Sequence, residues 1–426
     1  MKRKYLALLL VVALLGGIFA ACAAPVAEPP TSPTPVEPAP TPETPKEVDP
    51  TPPPADLPAS TDLEAALFHF SEALFREVLL SGEENPVISP LSAYYALAMA
   101  ALGAAGETRA EFEAVLGRDP AVLATELRAL SEALTNTAGS TELNIAGSVW
   151  TAEDFTIAAA FEQAMADYFD APAKSRDFGA EATVDEINAW VSERTEGLIE
   201  ELIQDIGDDE VMLLINTLYF SAKWAEAFNP MTELIGRFHP EIGDPVEVPF
   251  LSTRLGTFSV ARTDAYEAAM LPYDDGRMGL LLVRPTDGTS IREFAAAQDL
   301  AELIANLATR DEVWVRMPRL DLEFVVELSK FLQAMGLQEA FDENLADLSG
   351  LLEEDAPLHI SRVLQKVRFL VDEEGTEAAA ATAVGVTATS APLNPLELNF
   401  NTPYLYIIYD LETGTPLFMG VLDNPF

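Results

Sequence analysis

The chain has 426 residues, of which 49% are hydrophobic, and its formal net charge is −44. This length allows one large core or two to three smaller domains. The excess of 69 acidic over 25 basic residues disfavours binding to nucleic acids or, through a basic patch, to anionic membranes, because both need clustered cations. One cysteine excludes an intramolecular disulfide, and three widely spaced histidines form no metal-ligand motif. We therefore expect no metal and no other cofactor.

The N-terminus has the pattern of a secretory signal peptide over residues 1–21. Lys2, Arg3 and Lys4 precede a short apolar run, and small residues follow this run. The run is too short to favour a permanent membrane span. The following Cys22 completes a Phe-Ala-Ala-Cys sequence that is similar to a bacterial lipobox, in which the cysteine is lipidated. The alternative is an ordinary signal peptide followed by an incidental cysteine.

Residues 22–59 combine this cysteine with a segment rich in Pro, Thr, Glu and Ala. Such a composition cannot build a hydrophobic core and favours extended polyproline II structure. The segment is therefore predicted to be a spacer that holds the following domain away from a membrane. Together, these features predict export across the cytoplasmic membrane and a lipid anchor at the outer cell surface.

Hydrophobic periodicity predicts helices in the first half of the globular part. Leu63, Leu67, Phe70, Leu74 and Val78 recur at helical spacing, and a Ser-Gly pair ends this run. A second helix starts at a Ser-Pro pair, because serine is a good N-cap and proline suits the first helical position. Further helical patterns cover residues 107–116, 122–134, 155–168 and 184–203.

Strand patterns dominate the second half of the chain. β-Branched and apolar runs predict strands at residues 211–219, 278–283, 363–371 and 313–326, the last interrupted by Pro318, and a hairpin formed by 404–409 and 416–421. Helices followed by strands indicate an α+β domain. No internal repeat and no linker divides residues 60–426, so one domain is predicted there.

Residues 373–399 do not fit a compact domain. This stretch lies between two strong strands, contains few large apolar residues, and is long enough that a functional or disordered loop is expected. Its first half alternates small or β-branched residues, which would all face one side of a strand. The alternative from composition alone is an alanine-rich linker.

Several separated motifs occur in order over nearly all of the domain. They are NPVISPLS (85–92), NTLYF (216–220) followed by Lys223-Trp224 and Phe228, LPY (271–273), DLSG (347–350), DEEGTEAA (372–379), FN with Pro403 (400–403), PLFMG (416–420) and Asn424-Pro425. Each motif is weak alone, but the ordered set is specific and resembles the serpin family.

The resemblance implies a fold and a mechanism. The expected fold is a serpin fold, in which helices surround a large central mixed β-sheet and smaller sheets, with an exposed reactive-centre loop. The implied function is inhibition of a serine protease as a suicide substrate. The loop is cleaved, an acyl-enzyme forms, and the N-terminal part of the loop inserts into the central sheet. Such a protein is not an enzyme, needs no cofactor and is expected to be a monomer.

The resemblance also assigns the hinge of the loop. Glu373 matches the family's hinge glutamate, and Gly375 matches the hinge glycine. Arg319 is expected to form an ion pair with Glu373, the alternative being two unrelated surface charges. The inward-facing hinge positions are all small or β-branched, which favours inhibition: Thr376, Ala378, Ala380 and Thr382.

A second group of residues matches the regions where the central sheet must open. Ser89, Ser92 and Asn216 fall in the shutter, and Trp224 falls in the breach. Gln365 stands where the family usually has a histidine. Because a glutamine amide both donates and accepts hydrogen bonds, a rearranged network is expected there and not a lost one.

The scissile bond is assigned by counting from Gly375, which gives Thr389-Ser390, with the bonds on either side, 388–389 and 390–391, as alternatives. These residues are all small, so an elastase-like or subtilisin-like protease with a shallow pocket is the expected target.

The sequence also bears on two alternative functions and on one mode of activation. A non-inhibitory serpin that acts as a surface binding or structural protein is the main alternative. A hydrolase is disfavoured because His69, His239 and His359 form no triad motif and no GxSxG sequence occurs. Activation by heparin is not expected, since Arg128 is the only basic residue in the matching region, 120–137.

Overall fold

The computed structural model describes residues 62–228, 234–354, 356–376 and 394–425. The predicted signal peptide, Cys22 and the spacer therefore lie outside the described residues. The helices in the described part are α1 (Asp62–Leu80), α2 (Pro90–Ala101), α3 (Gly106–Leu116), α4 (Pro120–Thr135), α5 (Ala159–Phe169), α6 (Glu181–Arg194), α7 (Ile291–Ala297), α8 (Leu300–Ala305) and α9 (Ser329–Ala334).

The strands in the same ranges confirm the predicted α+β class. They are β1 (Val87–Ile88), β2 (Glu142–Ala152), β3 (Ala173–Arg176), β4 (Met212–Lys223), β5 (Leu234–Phe238), β6 (Val246–Ser252), β7 (Gly256–Arg262), β8 (Tyr266–Pro272), β9 (Met278–Pro285), β10 (Ala308–Pro318), β11 (Leu320–Glu327), β12 (Arg362–Val371), β13 (Gly375–Thr376), β14 (Leu396–Asn399), β15 (Tyr404–Asp410) and β16 (Thr415–Leu422).

These strands form two sheets. One has ten strands in the order β1-β16-β15-β9-β8-β7-β10-β6-β5, and β14 pairs with β10. The other has six strands in the order β11-β12-β13-β4-β2-β3 and is mixed, because β12 is parallel to β4 and β2 is parallel to β3. The sheet that contains the hinge is thus the smaller of the two by strand count.

Helix α2 connects the two sheets through the core. Ser89 caps its N-terminus by accepting from the Ser92 amide at 3.4 Å, and Pro90 occupies the first turn. All twelve residues of α2 are buried, which agrees with its small, apolar sequence. Because α2 packs against the six-stranded sheet, its N-terminus lies beside the middle strands of that sheet.

The six-stranded sheet is covered on both faces. Leu214, Leu218 and Phe220 of β4 belong to the main core that includes α2. The opposite face, with Leu213 and Ile215, packs into a second cluster that includes Trp190 of α6. The continuous apolar character of residues 211–219 follows from this burial on both faces.

Two predicted helices have different bounds in the structure. The helix predicted at 184–203 ends at Arg194, because the Thr195 hydroxyl accepts from the Ile199 amide and the chain then turns through left-handed residues. The apolar pattern continued past this point because Leu202 and Ile203 are buried without being helical. The helix predicted at 155–168 begins only at residue 159.

None of the described helices is both long and apolar enough to cross a membrane.

Candidate functional site

The two middle strands of the six-stranded sheet, β12 and β4, pair directly over only part of their length. Parallel rungs join them from Arg362↔Leu213 to Gln365↔Asn216. At the other end, β13 lies between them. In the described chain no rung joins residues 366–370 of β12 to residues 217–221 of β4. The sheet is therefore closed at both ends of this strand pair and unpaired in between.

We call the end where β12 and β4 pair directly the lower end, and the end that holds β13 the upper end. The lower end contains a buried polar network that we call the shutter cluster: Ser89, Ser92, Asn216 and Gln365. The Gln365 Nε2 atom lies 2.9 Å from the Ser89 carbonyl, 2.9 Å from the Ser92 hydroxyl and 2.7 Å from Asn216 Oδ1. The Ser89 amide donates to Gln365 Oε1 at 2.9 Å, and the Ser92 hydroxyl donates to Asn216 Oδ1 at 2.8 Å. The cluster thus connects α2, β4 and β12 without any ionisable group.

The upper end is the hinge, residues 372–376, and its backbone is fixed by the segment that follows β4. The Trp224 amide donates to the Glu374 carbonyl at 2.9 Å, and its indole Nε1 donates to the Asp372 carbonyl at 3.0 Å. The Phe228 amide donates to the Glu373 carbonyl at 2.8 Å. Three consecutive hinge carbonyls are therefore satisfied by this segment, which explains why an indole is useful at position 224.

The hinge strand β13 pairs with both of its neighbours. Thr376 lies opposite Val371 of β12 and Ala222 of β4, and Gly375 lies opposite Lys223. A β-carbon added at Gly375 would lie 2.0 Å from the Ala222 carbonyl oxygen. Because this oxygen belongs to the backbone, no side-chain rotation can relieve the clash. Glycine is therefore needed at this position for the close approach of the two strands.

Sequence reasoning missed Tyr273 as a site residue. Its hydroxyl lies 2.6 Å from the Thr376 hydroxyl, and its ring stacks on Trp224 with centroids 4.6 Å apart. Burial raises the pKa of Tyr273 well above its usual range, so the phenol stays protonated and can donate. The only sequence signal was its place in the Leu-Pro-Tyr motif at residues 271–273.

Arg319 and Glu373 form the ion pair that the sequence suggested. The Arg319 side chain is 47% exposed, so the pair contributes at most about 1 kcal/mol to stability. It crosses from the residue between β10 and β11 to the hinge, and it therefore adds a charged contact at the upper end of the sheet.

Other assigned residues lie outside the described ranges. Among them are the remaining hinge positions, Ala378, Ala380 and Thr382, and the reactive bond, Thr389-Ser390. In the described chain no group of three or more His, Cys, Asp or Glu residues is arranged to hold a metal ion. The three histidines lie on separate segments, in α1, after β5 and before β12.

Comparison with known proteins identifies the family. The family model described as "Serpin (serine protease inhibitor)" matches residues 65–425. The chain belongs to the serpin family. Alpha-1-antiproteinase of Rattus norvegicus is 29% identical over 378 residues, which cover 86% of this chain and 90% of the relative. Serpins are mostly inhibitors of proteases and not catalysts, in agreement with the interpretation from the sequence.

Solved structures support the same fold for this serpin. The thermophilic serpin tengpin in its native state has a TM-score of 0.79 and 29% identity, covering 86% of this chain and 95% of that one. Human thyroxine-binding globulin complexed with thyroxine has a TM-score of 0.77 and 26% identity, covering 85% and 98%. The predicted serpin fold is therefore confirmed for the described residues.

Proposed function

We propose that this serpin inhibits a serine protease as a suicide substrate whose cleaved loop inserts between β12 and β4. The observation that carries the proposal is the position of β13, which already lies between these two strands. A loop that continues from β13 in the same direction would enter the unpaired stretch of the sheet without a change of register.

The existing rungs define where each loop residue would arrive. Counting on from Val371↔Thr376 along β12 brings Thr382 opposite Gln365. Counting on from Ala222↔Thr376 along β4 brings Thr382 opposite Asn216. Gln365 and Asn216 pair with each other in the resting sheet, so the two independent counts meet at one rung. This agreement supports insertion without slippage of either strand.

The unpaired stretch between β12 and β4, which we call the opening, is lined by side chains that suit the proposed strand. Ala378 would lie between Phe369 and Phe220, both of which are buried in the main core. Small residues at such positions avoid overpacking, which costs roughly 1–3 kcal/mol when it forces side chains off their rotamers. The alternation of small residues in the loop therefore matches the alternation of large residues beside the opening.

Insertion would also have to open the shutter cluster. Thr382 would separate Gln365 from Asn216 and so replace their 2.7 Å contact. The threonine hydroxyl both donates and accepts, so it can take over a hydrogen bond from each amide. The neutral network can thus be exchanged for another one without an unpaired buried group.

The chemistry belongs to the target protease. Its serine oxygen would attack the carbonyl carbon of Thr389, the bond to Ser390 would break, and an ester would link Thr389 to the enzyme. The new amino terminus at Ser390 would take the proton from the protease's general acid. Insertion would then carry the ester-linked protease along the sheet before water hydrolyses the ester.

The loop composition supports a target with a shallow primary pocket, elastase-like or subtilisin-like, because residues 388–391 are all small. A heparin-type activator is not part of the proposal. In α4, Arg128 is the only basic residue, and it already pairs with Glu132 at 3.1 Å.

The proposal places the protein outside the cell. The signal-peptide pattern and Cys22 support an inhibitor that is exported and anchored by a lipid, with residues 23–59 as its spacer, and we expect this inhibitor to act as a monomer. Metabolic labelling with a radioactive fatty acid tests the anchor, with Cys22→Ser as the control that should lose the label.

The decisive experiment mixes residues 60–426 with elastase and with subtilisin and analyses the products on a denaturing gel. We expect a covalent complex that resists denaturant. We also expect a released C-terminal peptide whose mass shows that it begins at Ser390 or an adjacent residue. Cleavage without a complex by every small-pocket protease contradicts the proposal.

A non-inhibitory binding role is the second candidate, and the similarity to thyroxine-binding globulin favours it. A melting scan of the cleaved protein separates the two roles. Insertion adds a strand to the sheet and so predicts a large rise in the melting temperature after cleavage. A protein whose cleaved form melts at the temperature of the intact form does not insert its loop.

A further inference from the structure

The hinge of this protein already occupies the first rung of the opening in the resting state. Thr376 is 3% exposed and pairs with Val371 and Ala222. Next to this rung, the Asp372 carboxylate accepts from the Glu374 amide at 2.8 Å, and the Asp372 amide donates to the Gly375 carbonyl at 3.0 Å. The turn that leads into the rung is thus internally hydrogen-bonded.

Tyr273 supplies the side-chain contact that holds this rung from the core side. Its hydroxyl and that of Thr376 are 2.6 Å apart in a fully buried position. The ring cannot follow a departing hinge, because it is stacked on Trp224 and lies edge-on to Phe220 at 5.1 Å. If the hinge left, the Tyr273 hydroxyl would therefore stay buried without this partner, which is unfavourable.

We infer that Tyr273 is a positioning residue that keeps the first rung formed before the protease arrives, so that insertion extends an existing strand. This inference rests on the proposed inhibitory function. Starting a strand is slow, because chain entropy is lost before contacts compensate for it. Trapping depends on a competition between insertion and hydrolysis of the acyl-enzyme, so a rung formed in advance raises the fraction of cleavage events that end in a complex.

The test is a double-mutant cycle with Tyr273→Phe, Thr376→Val and the double variant. Each single change leaves one buried hydroxyl without its partner, whereas the double change leaves none. We expect each single variant to raise the ratio of cleaved free inhibitor to complex about fivefold, the effect of losing one buried hydrogen bond. Because all three variants lack the same Tyr273–Thr376 hydrogen bond, we expect the double variant to show about the ratio of the single variants and not the product of their effects. The rate of the first encounter should not change, because the bait residues are intact.

Tyr94→Phe is the matched control. The Tyr94 hydroxyl is also buried and donates to the Leu116 carbonyl at 2.6 Å, but it lies on α2 and not at the hinge. A role limited to stability predicts equal effects of Tyr94→Phe and Tyr273→Phe on the ratio. A positioning role predicts an effect of Tyr273→Phe alone.

Hydrogen exchange of the uncleaved protein tests the formed rung directly. The amides of Trp224 and Phe228 donate to hinge carbonyls, so we expect strong protection in the wild type and faster exchange in Tyr273→Phe. The inference is wrong if the Trp224 and Phe228 amides exchange rapidly in the wild type. It is also wrong if the effects of Tyr273→Phe and Thr376→Val are independent in the double-mutant cycle. A wild type that traps no protease but shows these protected amides contradicts the proposed function and leaves the formed rung established.

Discussion

Replacing Gln365 by leucine tests whether the shutter cluster holds the resting sheet closed. The change keeps the volume nearly constant but removes every hydrogen bond that the Gln365 amide makes to Ser89, Ser92 and Asn216. The Ser89 amide, which donates to Gln365 Oε1, would lose this partner in a fully buried position. The Ser92 hydroxyl and Asn216 would still bond to each other.

The magnitude follows from these contacts. A typical hydrogen bond contributes about 0.5–1.5 kcal/mol, and a stranded buried donor costs about 1–3 kcal/mol. Because two of the three partners keep other bonds, the stranded Ser89 amide dominates, and we expect Gln365→Leu to lower the free energy of unfolding by about 1–3 kcal/mol. Loss of the lower closure should also speed conversion of the uncleaved protein to a form with an inserted loop.

Urea unfolding followed by tryptophan fluorescence measures the first effect, and native gels over time measure the second. Gln333→Leu is the control, because Gln333 is an exposed glutamine for which a change within about 0.5 kcal/mol is expected. If Gln365→Leu unfolds at the same urea concentration as Gln333→Leu, the cluster does not stabilise the closed sheet and the reasoning fails.

Three further predictions concern the hinge glycine, the ion pair of Glu186, and a comparison of a buried with an exposed ion pair. Gly375→Ala should turn the inhibitor into a substrate that is cleaved without forming a complex on the denaturing gel, because the added β-carbon would clash with the Ala222 carbonyl. Gly179→Ala is the control, since its β-carbon would meet only a side-chain oxygen at 3.3 Å. Equal yields of complex from the two variants would contradict the clash. Glu186→Gln should destabilise the protein at pH 7 by about 1 kcal/mol after screening, because Arg176 and Lys174 lower the pKa of Glu186 to about 2. A lowered pKa stabilises the fold above the unfolded value of 4.5, so the difference from the wild type should shrink as the pH falls from 4.5 towards 2, and a constant difference in melting temperature would refute it. Arg277→Gln should lower the free energy of unfolding in urea by about 3–5 kcal/mol, because it leaves the buried Asp410 carboxylate without its ion-pair partner. Arg319→Gln, at an exposed ion pair, should lower it by less than about 1 kcal/mol. Similar losses in the two variants would contradict the argument from burial.

The sequence predicted the elements whose signals are local. The Ser89-Pro90 pair marks the start of α2 in the structure, and the hairpin predicted at 404–409 and 416–421 corresponds to β15 and β16. Local signals failed where burial continued without a helix, as in residues 195–203. There, the Thr195 hydroxyl and the Asn188 side-chain oxygen accept hydrogen bonds from backbone amides in place of helical carbonyls, and periodicity cannot detect such bonds.

The family motifs predicted individual residues of the site but not how these residues are arranged in the sheet. The motifs pointed to Gln365 and Asn216, but nothing in the sequence states that their rung closes one end of an opening. Tyr273 was missed because its partner, Thr376, is 103 positions away and no residue near Tyr273 in the sequence indicates a contact with the hinge. Contacts between distant residues depend on strand order, which single-sequence patterns do not encode.

The two ends of the opening between β12 and β4 differ in electrical character. The hinge end includes the Arg319–Glu373 ion pair, which dissolved salt weakens, whereas the shutter cluster is neutral and insensitive to salt. In a protein with a net charge of −44, salt also alters the encounter with a charged protease. Ionic strength therefore acts on docking and on the hinge but not on the lower closure. A titration with salt can consequently separate the early steps of inhibition from the final parting of the strands.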